Sequence, residues 1–180
     1  MTKVAVLVGS LRKESFSRKT AKALAKLTPE MDFDFLDIGS VSYFNQDLEE
    51  HPPADWVSFR ERIAAADAVL FVTAEYNRSV PGVLKNAVDV ASRPYGKGAL
   101  LGKPAAIIST SIGAIGGFGA NHHLRQSLAF LDIPTMAQPE AYIGNTGSLF
   151  DDAGNLTNDA TRDFLAKFGK AFAAFIKKST

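Results

Sequence analysis

Near its start the chain runs through five consecutive apolar residues, Val4 to Val8, and the run stops at Gly9. An unbroken run of that length predicts a strand from Lys3 to Gly9 covered on both faces, the kind found inside parallel sheets. From Ser17 to Leu27 the spacing changes. Ala21, Leu24, Ala25 and Leu27 recur at helical intervals, which predicts an amphipathic helix with these residues inward.

The alternation then repeats. Phe33, Phe35 and Leu36 mark a second strand, a looser segment runs from Gly39 to Pro53, and a helix is expected from about Ala54 to Ala66. Ala68 to Thr73 reads as the third strand, and Pro81 to Ser92 as a helix with Pro81 in its first turn. Lys103 to Ser109 is the fourth strand, with a helix after it from about Asn121 to Phe130. A short fifth strand falls between Thr135 and Tyr142, and the amphipathic segment Asp159 to Lys177 closes the chain.

Strands alternating with helices of this length imply a parallel sheet with right-handed crossovers. Five strands favour a flavodoxin-like α/β fold over the longer six-stranded dinucleotide fold. This is a three-layer sandwich with strand order 2-1-3-4-5 and helices on both faces. In such sheets a ligand sits beyond the carboxyl ends of the strands, where the strand order reverses. The loops after the first, third and fourth strands therefore carry the interest.

The first of them, "GSLRKESFSRK" from Gly9 to Lys19, crowds Ser10, Ser15, Ser17, Arg12 and Arg18 at a helix start. Unpaired N–H groups and a partial positive charge suit that place to a phosphate, and hydroxyls with an Arg fork complete its shell. A helix cap alone needs only one Ser. After the third strand comes Glu75-Tyr76-Asn77-Arg78-Ser79, five polar side chains in succession. An exposed turn capped by Ser79 before Pro81 accounts for two of them and leaves Glu75, Tyr76, Asn77 and Arg78 unexplained. After the fourth strand, "STSIGAIGGFGA" carries Gly113, Gly116, Gly117 and Gly119, a density that lets backbone approach a flat ligand or adopt positive φ, or simply keeps a loop flexible.

Composition narrows the chemistry. The 180 residues fit one domain, 46% hydrophobic and 22% charged. A net charge of +1 gives no reason to expect a nucleic-acid or membrane partner. The absence of Cys excludes disulfides, thiolate nucleophiles, iron–sulfur clusters and redox dithiols, and it suits a reducing cytoplasm. No signal peptide or membrane span is expected. Gly98 and the Gly102-Lys103 pair are too close for a phosphate-binding Walker loop, with Pro104 where Ser or Thr belongs. No GxSxG elbow exists to anchor a hydrolase triad. His122 and His123 are adjacent and point to different helix faces, and His51 stands alone, so no metal site is expected.

Taken together, "GSLRKESFS", "EYNRSVPGVLKNAVD" and "STSIGAIGG" resemble the NADPH-dependent FMN reductase family, nearest its bacterial quinone and chromate reductase branch. The resemblance covers nearly the whole chain, and the middle motif is its specific part. It implies that Ser10, Leu11, Arg12, Lys13, Glu14, Ser15, Phe16 and Ser17 hold the FMN phosphate. Ser10, Arg12, Ser15 and Ser17 would supply its side-chain donors. Ala74, Glu75, Tyr76 and Asn77 would run along the isoalloxazine, with backbone groups reading its polar edge; Thr110, Ser111 and Gly113 would close the other side.

NADPH or NADH would be the co-substrate, and FMN N5 would carry the hydride, with no side chain in a catalytic role. The acceptor would be a quinone, free flavin, azo compound or metal oxyanion such as chromate. A homodimer or homotetramer is implied, with Tyr76, Arg78, Tyr95 and Phe118 near the flavin mouth. Three positions depart from the family's usual pattern: Ala74 replaces Pro, Ser17 replaces Asn, and Val90 replaces Trp. None removes a required group. A flavodoxin-type electron carrier and a non-catalytic flavin sensor stay open as alternatives.

Overall fold

The computed structural model describes residues 1–179. Five strands, β1 (Thr2–Gly9), β2 (Met31–Leu36), β3 (Ala68–Ala74), β4 (Ala105–Thr110) and β5 (Ala141–Ile143), form one parallel sheet in the order β2-β1-β3-β4-β5. This is the order expected from the five-strand alternation. The helices are α1 (Phe16–Leu27), α2 (Ala54–Ala64), α3 (Gly82–Ala91), α4 (Phe118–Phe130) and α5 (Asp159–Ser179).

The apolar runs that predicted the inner strands are buried on both faces, since helices cover each side. On one face Leu7, Val69, Phe71 and Ile107 pack under α2, α3 and α4 through Trp56, Ile63, Leu84 and Leu124. On the other, Val6, Leu70 and Ile108 meet α1 and α5 through Leu24, Leu165, Phe168 and Phe172. Each large side chain so buried contributes about 1.5–3 kcal/mol by leaving water. Val90, where the family favours Trp, is fully buried in α3.

Register places the site. Gly9 pairs with Thr73, Ala74 with Thr110, and Thr110 with Ile143. The loops leaving β1, β3 and β4 therefore emerge side by side at the carboxyl edge, where the strand order reverses.

Several boundaries differ from the sequence reading. β4 begins at Ala105 because Pro104 has no N–H for the ladder and the Lys103 N–H is spent on the Leu100 carbonyl at 3.1 Å. Pro81 is the N-cap of α3, with its carbonyl accepting from the N–H groups of Leu84 and Lys85. α4 starts at Phe118, three residues earlier than the periodicity suggested, because Gly117 (φ 77°) turns the chain directly into the helix. β5 spans only Ala141–Ile143, while Thr135 forms a single bridge to Ala105. In α1 the inward face starts with hydroxyls, Ser17 and Thr20, before Ala21 and Leu24; Ala25 and Leu27 are only half-buried.

The looser segment after β2 is tightly tied. Asn86 of α3 accepts from the Phe44 N–H at 2.8 Å and donates to the Val41 and Ser42 carbonyls at 3.3 and 3.2 Å. Trp56 Nε1 donates to the same Ser42 carbonyl at 3.0 Å. The Ser42 N–H and hydroxyl both donate to Asp55, which holds that carboxyl below the ordinary carboxylate range. A long loop is thereby fixed to two helices by polar contacts.

Candidate functional site

The β1–α1 loop divides by exposure. Ser10, Ser15 and Ser17 are buried, while Leu11, Arg12, Lys13 and Glu14 face solvent. Ser15 is the helix cap: its hydroxyl accepts from the Arg18 N–H at 3.2 Å. The N–H groups of Phe16 and Ser17, first in the helix, have no intrahelical partner, and the first turn carries no acid. Phe16 lies under two cations, with the Arg12 guanidinium 5.7 Å and Lys19 Nζ 5.6 Å from its ring centre. Lys19 is paired with Glu14 at 2.9 Å, which holds the Glu14 carboxyl below its usual value. Arg12 has no ion pair among the described residues. A helix start with no acid in its first turn, with Arg12 and buried hydroxyls beside it, suits a phosphate dianion.

The β3 loop is a tight hairpin turn. Tyr76 and Ser79 exchange backbone hydrogen bonds of 3.0 and 2.9 Å, and both central residues have positive φ, Asn77 at 52° and Arg78 at 63°. Two such residues in succession define a type I′ turn, in which Asn is favoured at the first position. Tyr76 is left half-exposed at the tip. Ser79 does not cap α3. Its hydroxyl instead lies 2.9 Å from His123 Nδ1 on α4.

Glu75, one of the four residues a plain turn left unexplained, points its side chain across to α4. Its Oε2 accepts from the Ala120 N–H at 3.1 Å, and its Oε1 meets Arg78 at 3.2 Å. The α4 N-cap, Gly117, has no side chain to offer, so the carboxylate satisfies one of the first-turn donors in its place. Of these two helix starts at the carboxyl edge, that of α4 already holds an anion from the chain itself. That of α1 remains open to one from outside.

The β4 loop forms the third wall. Thr110, at the end of β4, is buried with its hydroxyl 2.7 Å from that of Ser17. Ser111 donates its N–H to the Ile143 carbonyl, and its Oγ accepts from the Gly113 N–H at 3.1 Å. Beyond it Ile112, Ile115 and Phe118 are exposed.

The structure thus brings Ser10 to Ser17, Ala74 to Asn77, and Thr110, Ser111 and Gly113 to one edge. Within that set, the polar side chains of Glu14, Ser15, Ser17, Glu75, Thr110 and Ser111 are engaged with the protein. Sequence reading missed the partners of Glu75 and Ser17, and it missed the His122–Tyr142 pair, 2.9 Å apart beside Phe118. Burial foremost, then the neighbouring Glu140 carboxylate, pushes the Tyr142 phenol up to about 12. Among the described residues there is no cluster of His, Cys, Asp and Glu fit for a metal ion, and no helix long and apolar enough to cross a membrane.

A parallel sheet in the order 2-1-3-4-5, with an open helix start at its reversal point, defines the flavodoxin-like class. A flavodoxin from Pseudomonas aeruginosa shares that fold, with a TM-score of 0.61 at 18% identity. The family model for NADPH-dependent FMN reductase matches residues 2–148, and the chain belongs to that family. It is 60% identical over 176 residues to a quinone reductase of Pseudomonas putida, covering 97% of this chain and 94% of that one. It is 49% identical to a 2-hydroxy-1,4-benzoquinone reductase of a Burkholderia species, covering 97% and 96%. The structure of FerB, a flavoenzyme NAD(P)H:(acceptor) oxidoreductase from Paracoccus denitrificans, superposes with a TM-score of 0.93 at 42% identity, covering 99% of each chain. The protein is an oxidoreductase of the kind that uses FMN with NAD(P)H as electron donor.

Proposed function

We propose that this chain is a single FMN-binding domain, residues 1–180, and a cytoplasmic NAD(P)H:quinone oxidoreductase. The observation that carries the reading is the open, acid-free start of α1 beside Arg12, set against the Tyr76–Ser79 turn at the reversal point of the sheet. The names of the relatives above support a quinone as acceptor.

Arg12, the Ser10 hydroxyl and the first N–H groups of α1 would hold the FMN phosphate. Ala74 to Asn77 would line the ring's polar edge, and Ser111 and Gly113 its far side. Ser17 and Thr110, bonded to each other, would form the floor between phosphate and ring. Bound FMN supplies the two-electron chemistry that no side chain here can. The chain's own part is to place the donor and the acceptor by turns over one surface, where orientation lowers the barrier. One NAD(P)H, one quinone and one proton give NAD(P)+ and one hydroquinone. The exposed apolar residues Leu11, Tyr76, Ile112 and Ile115 around this edge suit an uncharged aromatic acceptor.

A homodimer or homotetramer completes the proposal. A groove of about 720 Å³ runs between α3 and α4, lined by Val88, Tyr95, His123 and Phe130 among others, and Tyr95 and Phe130 are largely exposed. Exposed aromatics around a groove mark interfaces. Light scattering at micromolar concentration tests this, and a single species at the 19.3 kDa monomer mass would contradict it.

The activity is tested by following NADPH consumption with 1,4-benzoquinone, using protein stripped of flavin and protein reloaded with FMN. Turnover only after FMN is restored is the expected result. Binding of FMN without NADPH consumption would overturn the enzymatic reading.

A further inference from the structure

Glu75 stands in the middle of the loop assigned above to the flavin, yet its side chain is only 10% exposed and turns away from solvent. Its Oε2 accepts from the Ala120 N–H at 3.1 Å, joining the loop after β3 to the start of the helix after β4. The opposing helix start is shaped to receive it. Gly117 is an N-cap without a side chain, and Gly119 has none either. A Cβ at Gly119 would lie 3.0 Å from Glu75 Oε2 and 2.7 Å from the Arg78 carbonyl oxygen, which are backbone and carboxylate contacts too tight to keep. The absence of a side chain at Gly119 thus permits the carboxylate of another loop to seat there. Arg78, from the same hairpin turn, meets the other carboxylate oxygen at 3.2 Å while staying 71% exposed. The exposed ion pair adds little, whereas the partly buried Glu75 oxygen satisfies a first-turn donor that the N-cap leaves without a side-chain partner.

We propose that Glu75 is a positioning residue: it caps α4 from the β3 loop and so fixes the distance between the two walls of the flavin site. The residue makes no flavin contact with its side chain. It holds the backbone of Glu75, Tyr76 and Asn77 in register with that of Ser111 to Gly117. This rests on the flavin assignment above, and the effect it describes falls on the ring side of the cofactor rather than on the phosphate side.

Two predictions separate it from a general structural role. Removing the carboxylate should weaken FMN and riboflavin equally, because the ring is common to both. Keeping an acceptor without the charge should restore most of the binding, because the amide oxygen of Gln can still take the Ala120 N–H.

The experiment compares Glu75→Ala, Glu75→Gln and Gly119→Ala, with dissociation constants for FMN and riboflavin and amide exchange of Ala120 in the flavin-free protein. Glu75→Ala should lose about tenfold in affinity for both flavins and should release Ala120 to fast exchange, and Glu75→Gln should stay within about threefold of the parent on both measures. Gly119→Ala, with Glu75 intact, should reproduce the loss because its methyl wedges the two loops apart. If Glu75→Ala leaves Ala120 protected or leaves both affinities unchanged, Glu75 does not position the loop. If Glu75→Gln is as weak as Glu75→Ala, the charge and not the bond is what matters, and the proposal falls. A parent protein that binds neither flavin would instead overturn the flavin assignment itself.

Discussion

The hydroxyl oxygens of Ser17 and Thr110 lie 2.7 Å apart in the interior, and 93 residues separate them along the chain. One stands at the second position of α1, the other at the end of β4, so the pair ties the start of the first helix to the fourth strand at the carboxyl edge of the sheet. Thr110 also reaches the Thr73 carbonyl at 3.5 Å, a length that adds little.

Removing one partner strands the other in a place closed to water. Ser17→Ala or Thr110→Val should each cost about 1–3 kcal/mol in urea unfolding. The double substitution should cost less than the sum, since no orphan hydroxyl remains. Additive losses would show that the two hydroxyls do not depend on each other.

Arg12, over the Phe16 ring and without an ion pair among the described residues, stands beside a helix whose first turn carries no acid. Arg12→Ala should weaken FMN by roughly tenfold or more while riboflavin, lacking the phosphate, loses little. Titration of flavin fluorescence with both ligands checks this. Equal weakening of both would move the phosphate away from α1.

Asn77 sits at a φ of 52° in the Tyr76–Ser79 turn. A Pro there cannot reach that angle, so Asn77→Pro would break the turn outright rather than only remove one donor. Asn77→Gly should preserve both the turn and flavin retention, because Gly adopts positive φ without strain. Asn77→Ala should keep the flavin with a loss of about 1 kcal/mol in stability. The flavin-to-protein absorbance ratio, with a circular dichroism spectrum for each variant, gives the answer. Loss of flavin in the Gly variant would assign the binding to the Asn side chain.

The sheet order was legible because three inner strands are continuous apolar runs, and a run without alternation has only one comfortable place. The placing of the candidate loops at one edge followed from that order. What stayed hidden was the use of each polar group. Glu75 finds its partner 45 residues away, and Ser17 finds Thr110 across the sheet. Neither spacing has a local signature. The start of α4 was masked by glycines, which carry no hydrophobic pattern. The positive φ of Arg78 was equally silent, since Arg has no preference for that region.

Tyr142 offers a test in pH. Its phenol is pushed up to about 12 by burial first and by Glu140 second. A group whose folded value is raised contributes stability that is complete below its unfolded value, about 10 for Tyr, and that is lost as pH rises through the folded value. Stability should therefore decline between about pH 10 and 12, and Tyr142→Phe should flatten that decline. In an ultraviolet difference titration of the parent against Tyr142→Phe, the Tyr142 step should fall near 12. A Tyr142 step at the ordinary value of about 10 would contradict its placement.

In the proposed cycle, FMN held at the reversal point of this sheet takes electrons from NAD(P)H and yields them to a quinone. The most direct measurement is an anaerobic titration of the FMN-loaded protein, following the visible flavin band. One equivalent of NADPH per bound flavin should bleach the band, and one equivalent of 1,4-benzoquinone should restore it. A bound flavin that stays coloured under excess NADPH, or that bleaches and is not restored by the quinone, would contradict the account.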